Sequence, residues 1–308
     1  MSETELESRF QQLIVDPYLK DGAVPAAPQR PMALIIAGQP GSRKSAIESQ
    51  LTSAQDVGKF AEIDADKFRE AAHPKYDDWV KAESITAAQK THDAAKWWVQ
   101  RAIDYVVGKK CNVVVSATLK DVAAARKKIE PFLDEFELIV ACTAVHEACS
   151  GLAVLKRYLN PRDRELPRYV PAEVHWKACG GVLETAQSID SGEISGSLEV
   201  IVCSPDHLQR GTGRPYRNRR FGEAWLDGAP ESRAAIEAAR LGSWNSDSVK
   251  WFRKTVDDLQ SDSRLSNHKG LSMHFAETMV KLVIGTPGAC LIIPQSCPLG
   301  APPLPPTS

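Results

Sequence analysis

The sequence predicts an α/β fold in three layers: a mostly parallel β-sheet with helices on both faces, followed by a helical C-terminal extension. Three observations support this prediction. Short apolar runs alternate with helical stretches between residues 32 and 204. A glycine-rich loop connects the first apolar run to a helix. From about residue 221 onward, the apolar residues follow only the helical period.

The N-terminal segment is predicted to be a short amphipathic helix over residues 3–19, because apolar residues such as Phe10 and Ile14 lie among charged ones. We expect this helix to end near Pro17 and to pack on the outside of the main domain. Residues 20–31 carry three prolines and are predicted to be an extended linker.

Five apolar runs are predicted to be strands: residues 32–38, 60–64, 111–118, 136–144 and 197–204. The first run, MALIIAG, is apolar throughout and bounded by turn residues, which is typical of a strand buried on both faces of a parallel sheet. Helices are predicted over residues 82–110, 120–135 and 150–160. Ligands bind at the carboxyl ends of the strands in such sheets, so residues that follow each strand are candidate site residues.

The C-terminal part is predicted to contain a basic loop, a helical region and a tail. The basic loop, residues 210–220, is expected to be a solvated hairpin, with phosphate binding as the alternative; its arginines are Arg210, Arg214, Arg217, Arg219 and Arg220. Residues 285–308 carry seven prolines and are predicted to be mostly disordered. The predicted organisation is an N-terminal helix and linker (1–30), a core (31–208), a basic loop and helical extension (209–284) and the tail.

Charge and cysteine content limit the function classes. The 308 residues include 38 Lys and Arg against 39 Asp and Glu, a net charge of -1, so no overall field favours nucleic acid or an anionic membrane as a partner. The seven cysteines contain no C-x-x-C pair and mostly lie in apolar runs, which indicates reduced, buried thiols in a cytoplasmic protein. No apolar run approaches the length of a membrane span, and the N-terminus is acidic, unlike a signal peptide.

The sequence GQPGSRKS, residues 38–45, matches the phosphate-binding loop pattern G-x-x-x-x-G-K-[ST] at every position but one. The preceding strand and following helix provide the context that such a loop requires, so the predicted fold is a P-loop NTPase fold. Gly38 and Gly41 allow backbone N–H groups to face phosphate oxygens, Lys44 supplies a cation, and Ser45 offers a hydroxyl to Mg²⁺. The other predicted nucleotide-binding residues are Gln39, Pro40, Ser42 and Arg43.

Two aspartates follow the second predicted strand in IDADKFREAAHPKY. Phosphoryl transfer needs a carboxylate that accepts the proton of the attacking hydroxyl or helps to hold the metal. Asp64 and Asp66 are candidates for this role. The alternative is that one or both cap the following helix.

Three stretches together resemble the zeta toxin family of P-loop kinases: PMALIIAGQPGSRKS, IDADKFREAAHPKY and CNVVVSATLKD. His73, Pro74 and Tyr76 carry much of the specificity, because this element has no generic role in P-loop proteins. The resemblance covers residues 8–205. It implies an ATP- and Mg²⁺-dependent kinase of the 3′-hydroxyl of UDP-N-acetylglucosamine that inhibits bacterial growth and is blocked by a small antitoxin.

The resemblance also implies roles for single residues. Lys44 and Ser45 would bind ATP and Mg²⁺, and Asp66 would be the general base, in preference to Asp64. Thr118 would contact the substrate. We expect no transition-metal site, since no His/Cys spacing fits one.

Two arginines match family positions that clamp the triphosphate and offset the charge that develops on the transferred group, a role that suits a planar guanidinium. They are Arg157 and Arg168. Without the resemblance, Arg157 would be interpreted as a charge on a helix surface and Arg168 as part of a loop salt bridge. His175 is expected to pack beside Trp176 rather than to line the site.

The chain departs from the family pattern at three places. Arg43 replaces the last glycine of the loop, Ser116 stands where the family commonly has a glutamate, and Gln100 stands where it often has another. Loss of these carboxylates predicts a change in the acceptor. The resemblance implies NAD as the main alternative to UDP-N-acetylglucosamine, because relatives of this fold include a plant-pathogen effector that phosphorylates NAD; such an effector would be delivered into a target cell. The further alternatives are a nucleotide-binding protein attenuated by Arg43 and a protein that acts by binding a partner.

Overall fold

The computed structural model describes residues 1–82, 86–161, 168–204, 215–242 and 246–285. Its strands are β1 (Met32–Ala37), β2 (Ala61–Asp64), β3 (Val113–Ala117), β4 (Glu137–Thr143), β5 (Leu198–Cys203), β6 (Tyr216–Phe221) and β7 (Ala224–Trp225). They form one sheet of order β2-β3-β1-β4-β5-β6-β7. The first five strands are parallel, and β6 and β7 are antiparallel. The predicted P-loop NTPase fold is confirmed.

The helices lie on both faces of this sheet and in the C-terminal region. In chain order they are α1 (Glu3–Phe10), α2 (Lys44–Ser53), α3 (Ala65–Ala72), α4 (Tyr76–Lys81), α5 (Ala87–Lys90), α6 (His92–Lys109), α7 (Val122–Ile129), α8 (Glu147–Leu159), α9 (Ala172–Asp190), α10 (Ser232–Gly242), α11 (Ser246–Gln260), α12 (Ser263–Asn267) and α13 (Lys269–Gly285). A 3-10 turn, Glu130–Phe132, extends α7. The predicted helix over 82–110 is thus divided, and α9 was not predicted.

The sheet brings the candidate residues to one edge. All six residues of β1 are buried, as expected for a central strand with helices on both faces. Ala37 pairs with Ala117 of β3 and with Cys142 of β4, so these three parallel strands end side by side. Asp64 pairs with Ser116 on β3. The loops that follow β1, β2, β3 and β4 therefore meet at this carboxyl edge.

Three apolar clusters hold the elements together. The largest packs α6, α7, α9 and α10 on one face of the sheet and contains fully buried residues such as Trp98, Val115 and Phe132. A smaller cluster, with Ile47 of α2, covers the other face. The third joins α8 to α11, α12 and α13, so the C-terminal extension is built on a helix of the main body.

The N-terminal segment is buried more deeply in the main core than predicted. A π-helical segment, Gln11–Leu19, follows α1 and contains Pro17 without ending there. Phe10, Ile14 and Leu19 are fully buried in the main core, so the expectation that the segment packs outside it was wrong. Burial of three large side chains outweighs the hydrogen bond that proline cannot donate.

The predicted basic loop is largely a strand. Residues 216–221 form β6 and alternate between the two faces, with Asn218 and Arg220 buried. Arg217 and Arg219 lie exposed in ion pairs with acidic neighbours, Glu199 and Asp227. Arg220 donates to backbone carbonyls of Ile189 and Gly196, which removes it from phosphate binding. Arg210 and Arg214 lie outside the described residues.

The cysteine and tail predictions are tested in part. Cys111, Cys142, Cys179 and Cys203 are free and buried, as expected, and Cys149 is half-buried. Cys290, Cys297 and the tail from residue 286 lie outside the described residues. Among the described helices, none combines the length and apolar character of a membrane span.

Candidate functional site

The predicted phosphate-binding loop connects the end of β1 to α2. Its two glycines have no room for a side chain. A Cβ on Gly38 would lie 2.0 Å from Thr143 Oγ1, and a Cβ on Gly41, which has φ +79°, would lie 2.3 Å from the carbonyl oxygen of Ser150. The loop backbone therefore packs directly against β4 and α8.

Buried polar contacts hold the loop against the end of β4 and the residues that follow it. The Gln39 amide is fully buried and donates to the carbonyl of Val145 at 2.8 Å. Thr143 Oγ1 donates to Ser42 Oγ at 2.8 Å. Pro40 is also buried. Gln39, Pro40 and Ser42 therefore shape the loop, and their side chains hold it in place.

Lys44 begins α2 and folds back over the loop. Its Nζ donates to the carbonyls of Gly38 and Gln39, at 3.0 and 3.3 Å. Burial lowers the pKa of the Lys44 ammonium, against the opposing effect of the Asp64 and Asp66 charges. The ammonium thus lies against the backbone of the predicted phosphate-binding loop.

Arg43 and Ser45 flank this lysine, and both are exposed. Arg43 has φ 63° and ψ 36°, the left-handed conformation that favours glycine at this position. The loop therefore keeps the backbone shape of the glycine-containing pattern despite the substitution. The Ser45 hydroxyl, one residue after Lys44, is accessible to a metal ion.

Asp64 ends β2 and caps α3. Its Oδ1 accepts a hydrogen bond from the backbone N–H of Asp66 at 2.7 Å, so the capping alternative is correct for this residue. Burial raises the pKa of the Asp64 carboxyl, and the negative charge of Asp66 raises it further.

Asp66 lies in the first turn of α3 and is held by two arginines. Arg69, three residues later on the same helix, pairs with Oδ1, and Arg168 Nη1 lies 3.1 Å from Oδ2. Burial acts to raise the pKa of Asp66, but these two cations, with Arg157 and Lys44, lower it to about 2. The carboxylate is therefore ionised across the physiological range.

The two predicted clamp arginines reach the same cluster. Arg168 forms ion pairs with both Asp66 and Glu70. The alternative that Arg168 takes part in a salt bridge is therefore correct. Arg157, on α8, is close enough to influence the pKa values of both Lys44 and Asp66. Its Nε is buried and has no hydrogen-bond partner among the described residues. That unpaired donor is available to an anion bound in the cluster.

Two of the three residues predicted to contact the acceptor lie at the carboxyl edge of the sheet, and the third does not. Thr118 directly follows β3 at the carboxyl edge, and Ser116 is paired in register with Asp64. Gln100 is exposed on α6 and donates to Asp104 at 3.0 Å. Among the described residues, no hydrogen bond joins Gln100 to the loop or to the two aspartates.

Arg69 and Glu70 belong to this cluster but were not predicted. Arg69 is 9% exposed. The signal that could have identified it is the i, i+3 spacing from Asp66 on a helix. Glu70 had no comparable signal, because its partner, Arg168, lies far away in the sequence.

His175 packs beside Trp176, as expected. It is fully buried, its ring lies 4.3 Å from that of Trp176, and its Nε2 lies 3.0 Å from Ser150 Oγ. Burial is the main cause that lowers the pKa of His175, to about 3. This histidine is therefore neutral at physiological pH.

The cluster fits a nucleoside triphosphate with Mg²⁺. Lys44 would meet the outer phosphates, and the buried Nε of Arg157 offers a donor without a partner. Among the described residues, no group of three acidic, histidine or cysteine side chains could hold a metal by itself. Mg²⁺ would therefore be shared between Ser45, the phosphates and water, which is common at phosphate sites.

The comparisons with known proteins agree with this fold. The family model described as Zeta toxin matches residues 15–214. No curated protein matches the chain in sequence. A chain from the PezAT chromosomal toxin–antitoxin system of Streptococcus pneumoniae is similar in structure at 16% identity, with a TM-score of 0.65, over 85% of this chain and 99% of that one. A chain of the AvrRxo1-ORF1:-ORF2 complex is similar at 13% identity, with a TM-score of 0.51, over 90% of this chain and 86% of the other.

Proposed function

The chain belongs to the zeta toxin family, and we propose that it is an ATP- and Mg²⁺-dependent kinase that transfers the γ-phosphoryl group to a hydroxyl of a nucleotide-type acceptor. The observation that carries this proposal is the convergence of Lys44, Asp66, Arg157 and Arg168 at one edge of the sheet, beside a closely packed glycine loop. A lysine, a carboxylate and guanidinium groups are among the parts that recur at phosphoryl-transfer sites.

In this proposal, ATP supplies the phosphoryl group, and the protein positions and stabilises the reacting atoms. The hydroxyl oxygen of the acceptor bonds to the γ-phosphorus, and Asp66 accepts the proton of that hydroxyl. At the same time, the bond between the γ-phosphorus and the bridging oxygen breaks, and that oxygen leaves with ADP. Lys44, Arg157 and Arg168 offset the negative charge on the equatorial and leaving oxygens. Arg168 would exchange its contact with Asp66 for the phosphate, which frees that carboxylate for the hydroxyl.

We propose UDP-N-acetylglucosamine as the type of acceptor, with growth inhibition as the consequence. Ser116 and Thr118 would contact the acceptor from the end of β3, and Asp64 from the end of β2. Since Ser116 offers a hydroxyl in place of a carboxylate, a ribose hydroxyl of NAD is the second candidate acceptor. Gln100 would contribute to either site only through a change in its present hydrogen bond to Asp104.

The proposed partner is a small antitoxin, and the proposed location is the bacterial cytoplasm or, for an effector, a target cell. The PezAT system, to which the fold is similar, is itself a toxin–antitoxin system. An inhibitor that covers the loop would protect the producing cell.

An attenuated nucleotide-binding protein is the alternative, because Arg43 adds a side chain where the loop pattern has glycine. The left-handed backbone of Arg43, which is the conformation that glycine adopts in the loop pattern, favours the active kinase.

The test is incubation of the purified protein with ATP, Mg²⁺ and a panel of UDP-sugars, NAD and nucleosides, followed by mass spectrometry. We expect one acceptor to gain a single phosphate. Asp66→Asn should lower the rate of phosphate transfer to that acceptor about 10²–10⁴-fold, while ATP should still raise the melting temperature of the variant. Asp64→Asn, which can still cap α3, is the comparison: because Asp64 would contact the acceptor, this variant should raise the KM for the acceptor more than it lowers kcat. If Asp64→Asn alone is inactive, the assignment of the base is wrong; if ATP does not bind, the kinase proposal fails.

A further inference from the structure

A buried arginine of the C-terminal extension contacts the phosphate-binding loop. Arg240 lies on the side of α10 that also carries the buried residues Ser232 and Ile236. Its Nη2 donates to the side-chain oxygen Oε1 of Gln39 at 3.4 Å, although 201 positions separate the two residues in the chain. The last third of the chain therefore reaches the loop that follows β1.

This contact fixes the orientation of the Gln39 amide. The amide nitrogen Nε2 donates to the carbonyl of Val145 at 2.8 Å and to Ser150 Oγ at 3.3 Å. A guanidinium can only donate hydrogen bonds, so Arg240 has to face the amide oxygen. An amide turned by 180° would place two donors against each other and would take the present donor away from the carbonyl of Val145.

The anchored Gln39 in turn supports the lysine of the loop. Lys44 Nζ donates to the backbone carbonyl of Gln39 at 3.3 Å and to that of Gly38 at 3.0 Å. Because the side chain of Gln39 is held at both its oxygen and its nitrogen, the carbonyl that Lys44 contacts is held as well. Arg240 is thus linked through a single residue to the cation proposed for the outer phosphates.

Arg240 is itself held by the surrounding helices. The same Nη2 donates to the carbonyl of Cys179 on α9 at 3.1 Å, and Nη1 lies 3.6 Å from Glu147 Oε1 at the start of α8. The other carboxylate oxygen of Glu147 lies 3.6 Å from Lys281 Nζ on α13. Glu147 compensates the charge of the buried guanidinium. These contacts connect two helices of the C-terminal extension, α10 and α13, to the loop.

The helix that carries Arg240 is fixed independently of the loop. At its start, the backbone N–H of Arg233 donates to Asp190 Oδ2 at the end of α9, at 3.2 Å. In its middle, Ile236 is fully buried in the main core. The fold therefore sets the position of Arg240 before any nucleotide binds.

We propose that Arg240 is a positioning residue of the nucleotide site: it holds the Gln39 amide, and Gln39 holds the loop and Lys44 in the conformation that binds the outer phosphates of ATP. The C-terminal extension is then part of the machinery that binds ATP, although Arg240 does not touch the nucleotide. This inference rests on the proposed function, because it takes the glycine loop as the ATP site.

The first test measures binding of a non-hydrolysable ATP analogue with Mg²⁺ to the full-length protein by calorimetry. Arg240→Gln should raise the dissociation constant about tenfold, since it removes a hydrogen bond from a charged donor. Arg240→Lys keeps a cation that can donate, so it should lose less affinity. Arg233→Gln is the matched control, because it removes an arginine of the same helix whose partner, Glu237, is exposed. This control should bind the analogue as the wild type does.

A double-mutant cycle distinguishes action through Gln39 from a general effect on the fold. Gln39→Ala should itself weaken binding of the analogue, and Arg240→Gln should cause no further loss in that background. If Arg240→Gln does not fold, the cycle uses Arg240→Lys, whose effect should vanish in the same way. The inference is wrong if the two losses add, or if the Arg240 variants bind the analogue as tightly as the wild type.

Steady-state kinetics with the acceptor identified above gives a second readout. Arg240→Gln should raise the KM for ATP and leave the KM for the acceptor unchanged. A merely structural arginine predicts a lower melting temperature with both constants unchanged, and that result would overturn the inference, as would an equal rise in both constants.

Failure of this inference can be told apart from failure of the proposed function. If Arg240→Gln weakens binding of the analogue but no acceptor gains a phosphate, the inference stands and the kinase proposal fails. If phosphate is transferred and Arg240→Gln changes neither the affinity nor the KM for ATP, the kinase proposal stands and the inference fails. If the wild-type protein does not bind the analogue, both fail.

Discussion

Arg168 Nη1 lies 3.1 Å from Asp66 Oδ2, and the same guanidinium pairs with Glu70. A residue proposed to clamp phosphate therefore holds the proposed general base in the ligand-free protein. The pair keeps Asp66 ionised and oriented, but it also opposes proton transfer to that carboxylate, since the pKa of Asp66 is about 2. Transfer of Arg168 to a phosphate would reduce this opposition, while Arg69 would still pair with Asp66.

Arg69 should act as a positioning residue for Asp66. Its pairing with Oδ1 is the largest charge effect that lowers the Asp66 pKa, so Arg69→Gln should raise that pKa toward its ordinary value. The acid limb of the pH–rate profile should move to higher pH, because Asp66 would protonate sooner as the pH falls. Arg101→Gln, which removes an ion pair to Glu7 on another part of the surface, is the control. An unchanged acid limb in Arg69→Gln would refute this role.

Gly38→Ala should abolish ATP binding. The added Cβ would lie 2.0 Å from Thr143 Oγ1 and 2.5 Å from Ser42 Oγ, so the loop must move away from β4. Gly108→Ala is the matched control, since nothing lies within 4 Å of its Cβ on α6. Thermal shift with ATP should separate the two variants, with Gly108→Ala equal to the wild type. Retention of ATP binding by Gly38→Ala would show that this close approach does not shape the site.

Arg43→Gly should stabilise the protein by about 1 kcal/mol, because glycine avoids a left-handed cost of about 1–2 kcal/mol and gains some freedom when unfolded. Affinity for ATP should be unchanged or higher. Lys110→Gly provides the comparison, since Lys110 has φ 53° at the end of α6. Lys110→Gly should give a similar increase in the unfolding free energy measured with urea, and it should leave the affinity for ATP unchanged. Weaker ATP binding in Arg43→Gly would indicate that Arg43 supplies a useful cation.

Three buried histidines should make the fold sensitive to acid. Burial lowers the pKa values of His146 and His274 to about 4 and that of His175 to about 3. Below the ordinary histidine value of about 6.5, the unfolded chain binds protons that the folded chain does not, so stability falls by about 1.4 kcal/mol per pH unit for each histidine. The loss begins near that value and continues down to the folded pKa.

His274→Phe isolates one of these contributions. His274 is fully buried, and neither ring nitrogen has a hydrogen-bond partner among the described residues. The variant should show a shallower fall in unfolding free energy between pH 6.5 and pH 4 by about one proton's slope. His92→Gln, at an exposed histidine, should change the slope less. Equal slopes for His274→Phe and the wild type would mean that His274 is not buried in the neutral form.

Much of the site could be predicted because its signals are local. The apolar run of β1, the glycines after it and the start of α2 are adjacent in sequence, and the conformation of Arg43 matches the glycine it replaces. Asp64 could be assigned as a possible cap from its position before α3 alone. The prediction that Arg220 is solvated was wrong, because Arg220 is buried against the carbonyls of Ile189 and Gly196. No local sequence pattern indicates those partners.

The sequence by itself determined the alternation of strands and helices, the phosphate-binding loop and the aspartates that follow β2, since each depends on periodicity or on the conformational preferences of neighbouring residues. Only the tertiary structure decided that Arg168 pairs with Asp66 and that Arg220 donates to the carbonyl of Ile189. Those contacts join elements distant in sequence, and their geometry is set by how helices pack on the sheet. Side-chain packing across such distances leaves no repeating pattern in the chain itself.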